Sequence, residues 1–78
     1  MLTIKLFSSL RELHPGYDPE KGIRLDLQPP VSVRQLIEHL AIPPVKQPVV
    51  SCNGRVLKAD DLLDEDSLVH IFQPVAGG

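Results

Sequence analysis

Apolar residues occupy every second position at the start of the chain, which is the period of a strand buried on one face. Leu2, Ile4 and Leu6 form the apolar set and predict a first strand over residues 1–7. The same period recurs over residues 23–27 and predicts a second strand. The two prolines that follow end this strand, because proline has no backbone N–H to donate.

The apolar spacing then changes to that of an α-helix. Ser32 is a good N-cap, and Gln35 completes a capping box three residues later. We predict that the helix ends at Pro43 and Pro44 and packs on the strands through one apolar stripe, which consists of Val33, Leu36, Ile37 and Leu40. Between the first two strands, residues 8–20 contain two prolines and predict a short helical turn followed by an exposed loop.

The last third of the chain predicts three further strands. Residues 49–52 and 55–57 flank Asn53-Gly54, a dipeptide typical of a two-residue hairpin turn, in which both central residues need a positive φ. Residues 60–66 hold five acids and two leucines. Their spacing lacks the ladder and central glycine of a calcium loop, so we predict a solvated turn anchored by both leucines and no metal. Residues 68–72 form the last strand.

Size and composition exclude several classes of function. A chain of 78 residues forms one domain and has no room for a deep internal active site. The net charge is −2, the basic residues are scattered, and there is no Trp, so nucleic-acid binding is not expected. A single cysteine and the absence of a long apolar run predict a reduced, cytoplasmic protein without a membrane span.

The chain closes with a sterically open carboxylate on Gly78, preceded by Gly77, Ala76 and Val75. Glycine has no Cβ, so such a terminus can enter a narrow slot. Pro74 fixes φ directly after the last strand and stiffens the exit. We therefore predict a folded domain over residues 1–73 and a flexible tail over 74–78. The alternative is that two terminal glycines are incidental or a cloning scar.

The elements form an α+β pattern, with a mixed sheet of four to five strands and one main helix on one face. This is the element order of the β-grasp fold of ubiquitin. Four motifs make the chain resemble the sulfur carriers MoaD and ThiS, and the tail is closer to MoaD, the small subunit of molybdopterin synthase. These motifs are LFSSLREL at 6–13, Asn53-Gly54, the acids before the last strand, and FQPVAGG at 72–78.

The resemblance implies that the chain is a carrier and not an enzyme. A MoeB/ThiF-like enzyme would adenylate Gly78 with ATP and Mg²⁺, and a persulfide donor would convert it to a thiocarboxylate. The sulfur would pass to molybdopterin through a MoaE-like large subunit. Alternatives are sulfur transfer to the thiazole of thiamin by a thiazole synthase, conjugation through Gly78 as a ubiquitin-like modifier, and a plain interaction module. The chain itself shows neither a phosphate-binding glycine loop nor a nucleophile with a visible base.

Alternation along the last strand leaves open which face is buried. The resemblance places Val69 and Ile71 in the core and Phe72 on the surface that contacts the partner, where an aromatic anchor is typical. The alternative is that Phe72 is a core residue. Cys52 is predicted to be a small buried residue.

Two further groups of residues have no clear chemical role. The three histidines, at positions 14, 39 and 70, lack the spacing of metal ligands. Arg11 and Arg55 are either contacts for acidic partner surfaces or solvated cations.

Overall fold

The structure, a computed structural model, describes residues 1–28 and 30–74. Within these residues it contains seven strands, one α-helix and two 3₁₀ helices. The strands are β1 (Leu2–Leu6), β2 (Ile23–Leu25), β3 (Val31–Ser32), β4 (Val49–Cys52), β5 (Arg55–Leu57), β6 (Leu62–Leu63) and β7 (Leu68–Phe72). The helix α1 spans Val33–His39, and the 3₁₀ helices span Ser8–Leu13 and Pro44–Lys46.

Five strands form one mixed sheet in the order β2-β1-β7-β4-β5. The central pair, β1 and β7, is parallel, and the other pairs are antiparallel. The predicted hairpin is confirmed, because Asn53 and Gly54 have φ values of 55° and 78°. The second strand is shorter than predicted and ends at Leu25. Leu25 pairs with Leu2, where β1 begins, so Leu27 has no residue of β1 opposite it.

The predicted capping box of α1 is present. The Gln35 amide donates to Ser32 Oγ at 3.1 Å, and the Ser32 amide donates to Gln35 Oε1 at 2.8 Å. The predicted end at the two prolines is wrong. The helix stops four residues earlier, where Ala41 has a φ of 57° and the Ile42 amide donates to Ile37 O at 3.2 Å. This is a Schellman motif, which satisfies the last carbonyls of the helix.

The core lies between α1 and one face of the sheet. Both ends of the central strand pair contribute to it, and the residues with no solvent exposure are Ile4, Leu6, Leu10, Leu36, Val69 and Ile71. Leu10 lies in the first 3₁₀ helix, so this short element closes one end of the core. Within the described residues, no helix is long and apolar enough to cross a membrane.

The acidic segment is more ordered than a solvated turn. Its β6 strand pairs with β3, which places Leu63 opposite Val31 in a small second sheet. Leu63 is buried, but Leu62 is 62% exposed, so the prediction that both leucines anchor the segment is wrong. The carbonyl of Asp61 also accepts from the first amide of α1, at Val33, over 3.0 Å. These contacts tie the acidic segment to the start of the helix.

The loop after the first 3₁₀ helix is attached to the domain by several side chains, among them Lys5, whose Nζ donates to the carbonyls of Pro19 and Glu20. Tyr17 Oη accepts a hydrogen bond of 2.8 Å from the Leu6 amide, and His14 Nε2 lies 3.1 Å from Leu40 O at the end of α1. The loop returns to the sheet at Gly22, where φ is 72°. A Cβ at this position would lie 2.5 Å from Ile4 O, so only glycine fits without a shift of the backbone.

Candidate functional site

The central strand β7 leads directly toward the predicted tail. It ends at Phe72, and Gln73 and the exposed Pro74 are the last described residues. Val75, Ala76, Gly77 and Gly78, which the sequence predicts as the reactive tail, lie outside the described residues. The candidate site that can be examined is therefore the part of the domain from which this tail leaves.

The two faces of β7 differ in burial. Val69 and Ile71 are fully buried against the core, which confirms the assignment that the resemblance to ubiquitin-like proteins implied. Leu68, on the opposite face, is 46% exposed, and His70 and Phe72 are half-buried. Phe72 is therefore not a core residue. Its ring belongs to the sheet face that α1 does not cover, which we call the open face.

The open face is built from cross-strand neighbours of β7. Phe72 pairs with Val49 of β4, and His70 lies between Lys5 of β1 and Ser51 of β4. Side chains that are directly opposite in adjacent strands contact one another on the same face. The end of the sheet nearest the tail is thus apolar, and the next row is polar.

Phe7 and Arg11 extend the open face beyond the end of β1. The Phe7 ring, 38% exposed, packs edge-on against His70 with 5.6 Å between ring centroids. The Arg11 guanidinium carbon lies 5.9 Å from the centroid of Phe7 and 5.8 Å from that of Tyr17. Arg11 Nε also donates to Leu6 O at 3.0 Å. These three contacts hold the guanidinium in one orientation.

A side-chain hydrogen bond fastens the residue that follows β7. Ser9 Oγ, in the first 3₁₀ helix, donates to Gln73 Oε1. The Phe7 amide donates to Ile71 O at 3.1 Å and extends the pairing of β1 with β7 by one residue. The segment from Phe7 to Ser9, where the first 3₁₀ helix begins, therefore holds the end of β7 and the residue after it through two bonds.

Sequence reasoning named Phe72 but overlooked Phe7 and Ser9. The available signal was the motif LFSSLREL, because its residues follow the strand that turns out to be the parallel neighbour of β7. Arg11 was noted only as one of two candidate surface cations. Arg55, the other, lies across the hairpin from Cys52, on the opposite face of the sheet.

The other residues that the sequence analysis considered for a chemical role are Cys52 and the three histidines. Cys52 is buried in β4, as predicted. Across the described ranges, no three side chains of the types that ligate metals come together, so the three histidines form no metal site there. A groove of about 480 Å³ lies between α1 and the β4–β5 hairpin, lined mainly by apolar residues such as Ile37, Ile42 and Leu57. It is on the far side of the sheet from Phe72.

The fold defines a class. One short helix packed across a five-stranded mixed sheet with a parallel central pair is the β-grasp architecture. The crystal structure of SAMP1 from Haloferax volcanii matches it with a TM-score of 0.71, at 21% sequence identity, over 99% of this chain and 98% of that chain. At this identity the match establishes the fold and no more.

The family follows from the sequence. The model of the ThiS family matches residues 4–78, nearly the whole chain, so the chain belongs to the ThiS family of ubiquitin-like sulfur carriers. This confirms the resemblance seen in the sequence at the level of the family. A comparison with curated proteins gave no match.

Proposed function

We propose that this protein carries sulfur as a thiocarboxylate on Gly78. The observation that carries the proposal is the extent of the family match, which continues to residue 78 and so includes the terminal Gly-Gly. The open face beside the exit of β7 supports it, because a tail that enters the active site of another enzyme needs an adjacent docking surface. The domain would act as a substrate of that enzyme.

The chemistry requires activation, because a carboxylate has no good leaving group. In the proposed sequence, an oxygen of the Gly78 carboxylate attacks the α-phosphorus of ATP, and pyrophosphate leaves. The persulfide of a donor protein then attacks the acyl carbon and AMP leaves. A second thiol of the donor system attacks the sulfur attached to the donor, which cleaves the S–S bond, forms a disulfide and releases the thiocarboxylate. ATP and Mg²⁺ belong to a MoeB/ThiF-like partner.

Phe72 is proposed as the aromatic anchor for this partner. It is half-buried on the open face, one residue before Gln73 and two before the last described residue, Pro74. A Phe at this position can bury most of its remaining surface against a partner, and such residues dominate the energy of many interfaces. Its pairing with Val49 adds an apolar neighbour.

The proposed acceptor of the sulfur is the molybdopterin precursor, bound by a MoaE-like large subunit. The support is the sequence of the tail, because MoaD proteins commonly have prolines before a small residue and Gly-Gly. This tail has Ala76 before Gly-Gly and departs from the pattern in its single proline, Pro74. Transfer to the thiazole of thiamin is the alternative branch. Conjugation of Gly78 to lysines of other proteins shares the adenylation step but ends in an isopeptide bond.

The intact mass of the protein, purified from cells with a working sulfur-transfer system, tests the proposal. We expect a species heavier by the difference between one sulfur and one oxygen. The matched control is the variant that lacks Gly78, which should show only its unmodified mass.

Two results would contradict the proposal. The first is an unmodified mass even after incubation with ATP, the adenylating enzyme and a persulfide donor. The second is recovery of Gly78 only in lysine-linked adducts, which would establish the modifier instead. Once a thiocarboxylate is found, its consumption by either the MoaE-like subunit or a thiazole synthase identifies the branch.

A further inference from the structure

The side chain of Arg11 is restricted by three contacts within the domain. Its Nε is committed to Leu6 O, and its guanidinium lies near the rings of both Phe7 and Tyr17. In contrast, Arg34 Nη1 lies 2.8 Å from Oδ1 of Asp60, and both of these side chains are largely exposed. A long side chain normally loses much rotamer entropy when it binds a partner, and Arg11 has already lost part of it in the free protein.

The binding capacity of this guanidinium is not used within the domain. Arg11 is exposed, and no carboxylate of the described residues lies within ion-pair distance of it. With Nε engaged, the two terminal nitrogens present parallel N–H donors. This pair of donors matches the two oxygens of a carboxylate. A lysine ammonium cannot form the same pair of parallel hydrogen bonds.

The open face around Arg11 carries positive charge, which favours contact with a carboxylate. The strand residues on the open face include no carboxylate and two cations, the exposed Arg24 and the partly buried Lys5, whose Nζ donates to the carbonyls of Pro19 and Glu20. The chain as a whole has a net charge of −2, and five of its ten acids lie in residues 60–66. The open face is therefore a cationic and aromatic surface on an acidic protein.

We infer that Arg11 binds a carboxylate on the enzyme that receives the tail, and that this contact helps determine which enzyme the carrier recognises. The inference rests on the proposed function. The occupant is a protein surface that combines an acidic side chain with an apolar site for Phe7 and Phe72. Charge complementarity supports an acidic partner, and the position of the face at the exit of β7 supports the enzyme that acts on the tail.

The test measures the affinity of the carrier for its MoeB/ThiF-like enzyme, by calorimetry, and the KM and kcat of adenylation by pyrophosphate release. Arg11→Gln removes the charge, and Arg11→Lys keeps the charge but removes the pair of parallel donors. We expect either variant to weaken binding and raise KM about tenfold or more, with kcat nearly unchanged. Arg24→Gln is the matched control, because it removes a cation of the same face that has no such aromatic contacts; we expect less than about a threefold change.

Each alternative gives a different result. Equal losses for Arg11→Gln and Arg24→Gln, with full affinity retained by Arg11→Lys, would show diffuse attraction and overturn the inference. Unchanged binding by every variant would also overturn it, while adenylation of the wild-type protein would leave the proposed function intact. Self-association of the wild-type protein that is lost in Arg11→Gln, without an effect on the enzyme, would assign the face to a second copy.

Urea unfolding of each variant separates recognition from folding. The bond from Nε to Leu6 O predicts a modest loss of stability in Arg11→Gln. A purely structural role would lower the fraction of folded carrier and the apparent kcat/KM together. It would leave the affinity per folded molecule, and its dependence on salt, unchanged. A change in that affinity is therefore the result that supports recognition.

Discussion

The two faces of the central sheet are made from the same strands but differ in how much of their side-chain surface is buried. On the covered face, Val69 and Ile71 of β7 are fully buried against α1. On the open face, His70 and Phe72 of the same strand remain partly exposed. Both faces contain large apolar side chains, so hydrophobicity does not distinguish them. The location of α1 does.

Because of this difference in burial, alternate residues of β7 should affect either the stability of the domain or its recognition by a partner. Residues of the covered face are close-packed, so their substitution should be felt mainly as a change in the free energy of unfolding. Residues of the open face keep surface that a partner can bury, so their substitution should be felt mainly as a change in affinity. Neighbouring residues of β7 can therefore be used to test the two roles in turn.

The largest expected effect on stability is that of Ile71→Ala. Truncation of a fully buried Ile removes apolar contacts and leaves a cavity, which costs about 2–5 kcal/mol. A domain of this size has only about 4–12 kcal/mol of stability in total.

Phe72→Ala should cost about 1 kcal/mol in urea unfolding while reducing affinity for the adenylating enzyme. The comparison fails if Phe72→Ala destabilises the domain as strongly as Ile71→Ala and leaves affinity unchanged.

The next largest effect on stability is expected at Gly22, which directly precedes the edge strand β2. Gly22→Ala forces a Cβ to within 2.5 Å of Ile4 O at a φ of 72°, so we expect a loss of about 2–3 kcal/mol. Gly16 has a φ of 84° but open space around it, so Gly16→Ala should cost only about 1 kcal/mol. Thermal and urea unfolding of the pair isolates the steric contact from the backbone strain. Equal losses would show that contact with Ile4 is unimportant.

The smallest effect is a pH dependence at the other end of the sheet from the tail. The Met1 amine donates to Asp66 Oδ1 at 2.9 Å, and this hydrogen bond is the main cause that raises the pKa of the amine above 8.0. A raised pKa in the folded state means that the contribution is complete below pH 8 and is lost as pH rises through the folded pKa. We expect a slight fall in unfolding free energy above pH 8. Asp66→Asn should make the unfolding free energy nearly independent of pH in this range. If the pH dependence is unchanged in this variant, the Met1–Asp66 pair is not its cause.

Most of the fold could be predicted because its signals are local. The period-2 segments, the capping box at Ser32 and the turn at Asn53-Gly54 each depend on a few adjacent residues, and each was found in the structure. Local signals failed where a partner in space decides the outcome. Pairing with β1 runs out at Leu25, and pairing with β3 orders Leu63 within an acidic segment that reads as a turn.

The candidate site was predictable in part for the same reason. Phe72 could be named because it precedes the tail in sequence. The contacts around Arg11 could not be predicted, since they require Phe7, Tyr17 and Leu6 to meet through the bend of the first 3₁₀ helix and the loop after it. The bond from Ser9 to Gln73 joins residues 64 positions apart. Only the parallel pairing of β1 and β7 brings them together.

The sequence by itself determined the five strands of the main sheet, the capped start of the helix, the β-grasp class and the family, because alternation, caps, turns and the motifs at the two ends each depend on neighbouring residues. The tertiary structure decided which side of each strand is buried, where the helix ends and which side chains surround the exit of β7. The physical reason is that burial and orientation depend on what packs against a residue from a distant part of the chain. For β7, that is α1 on one face, which leaves a cationic, aromatic surface on the other.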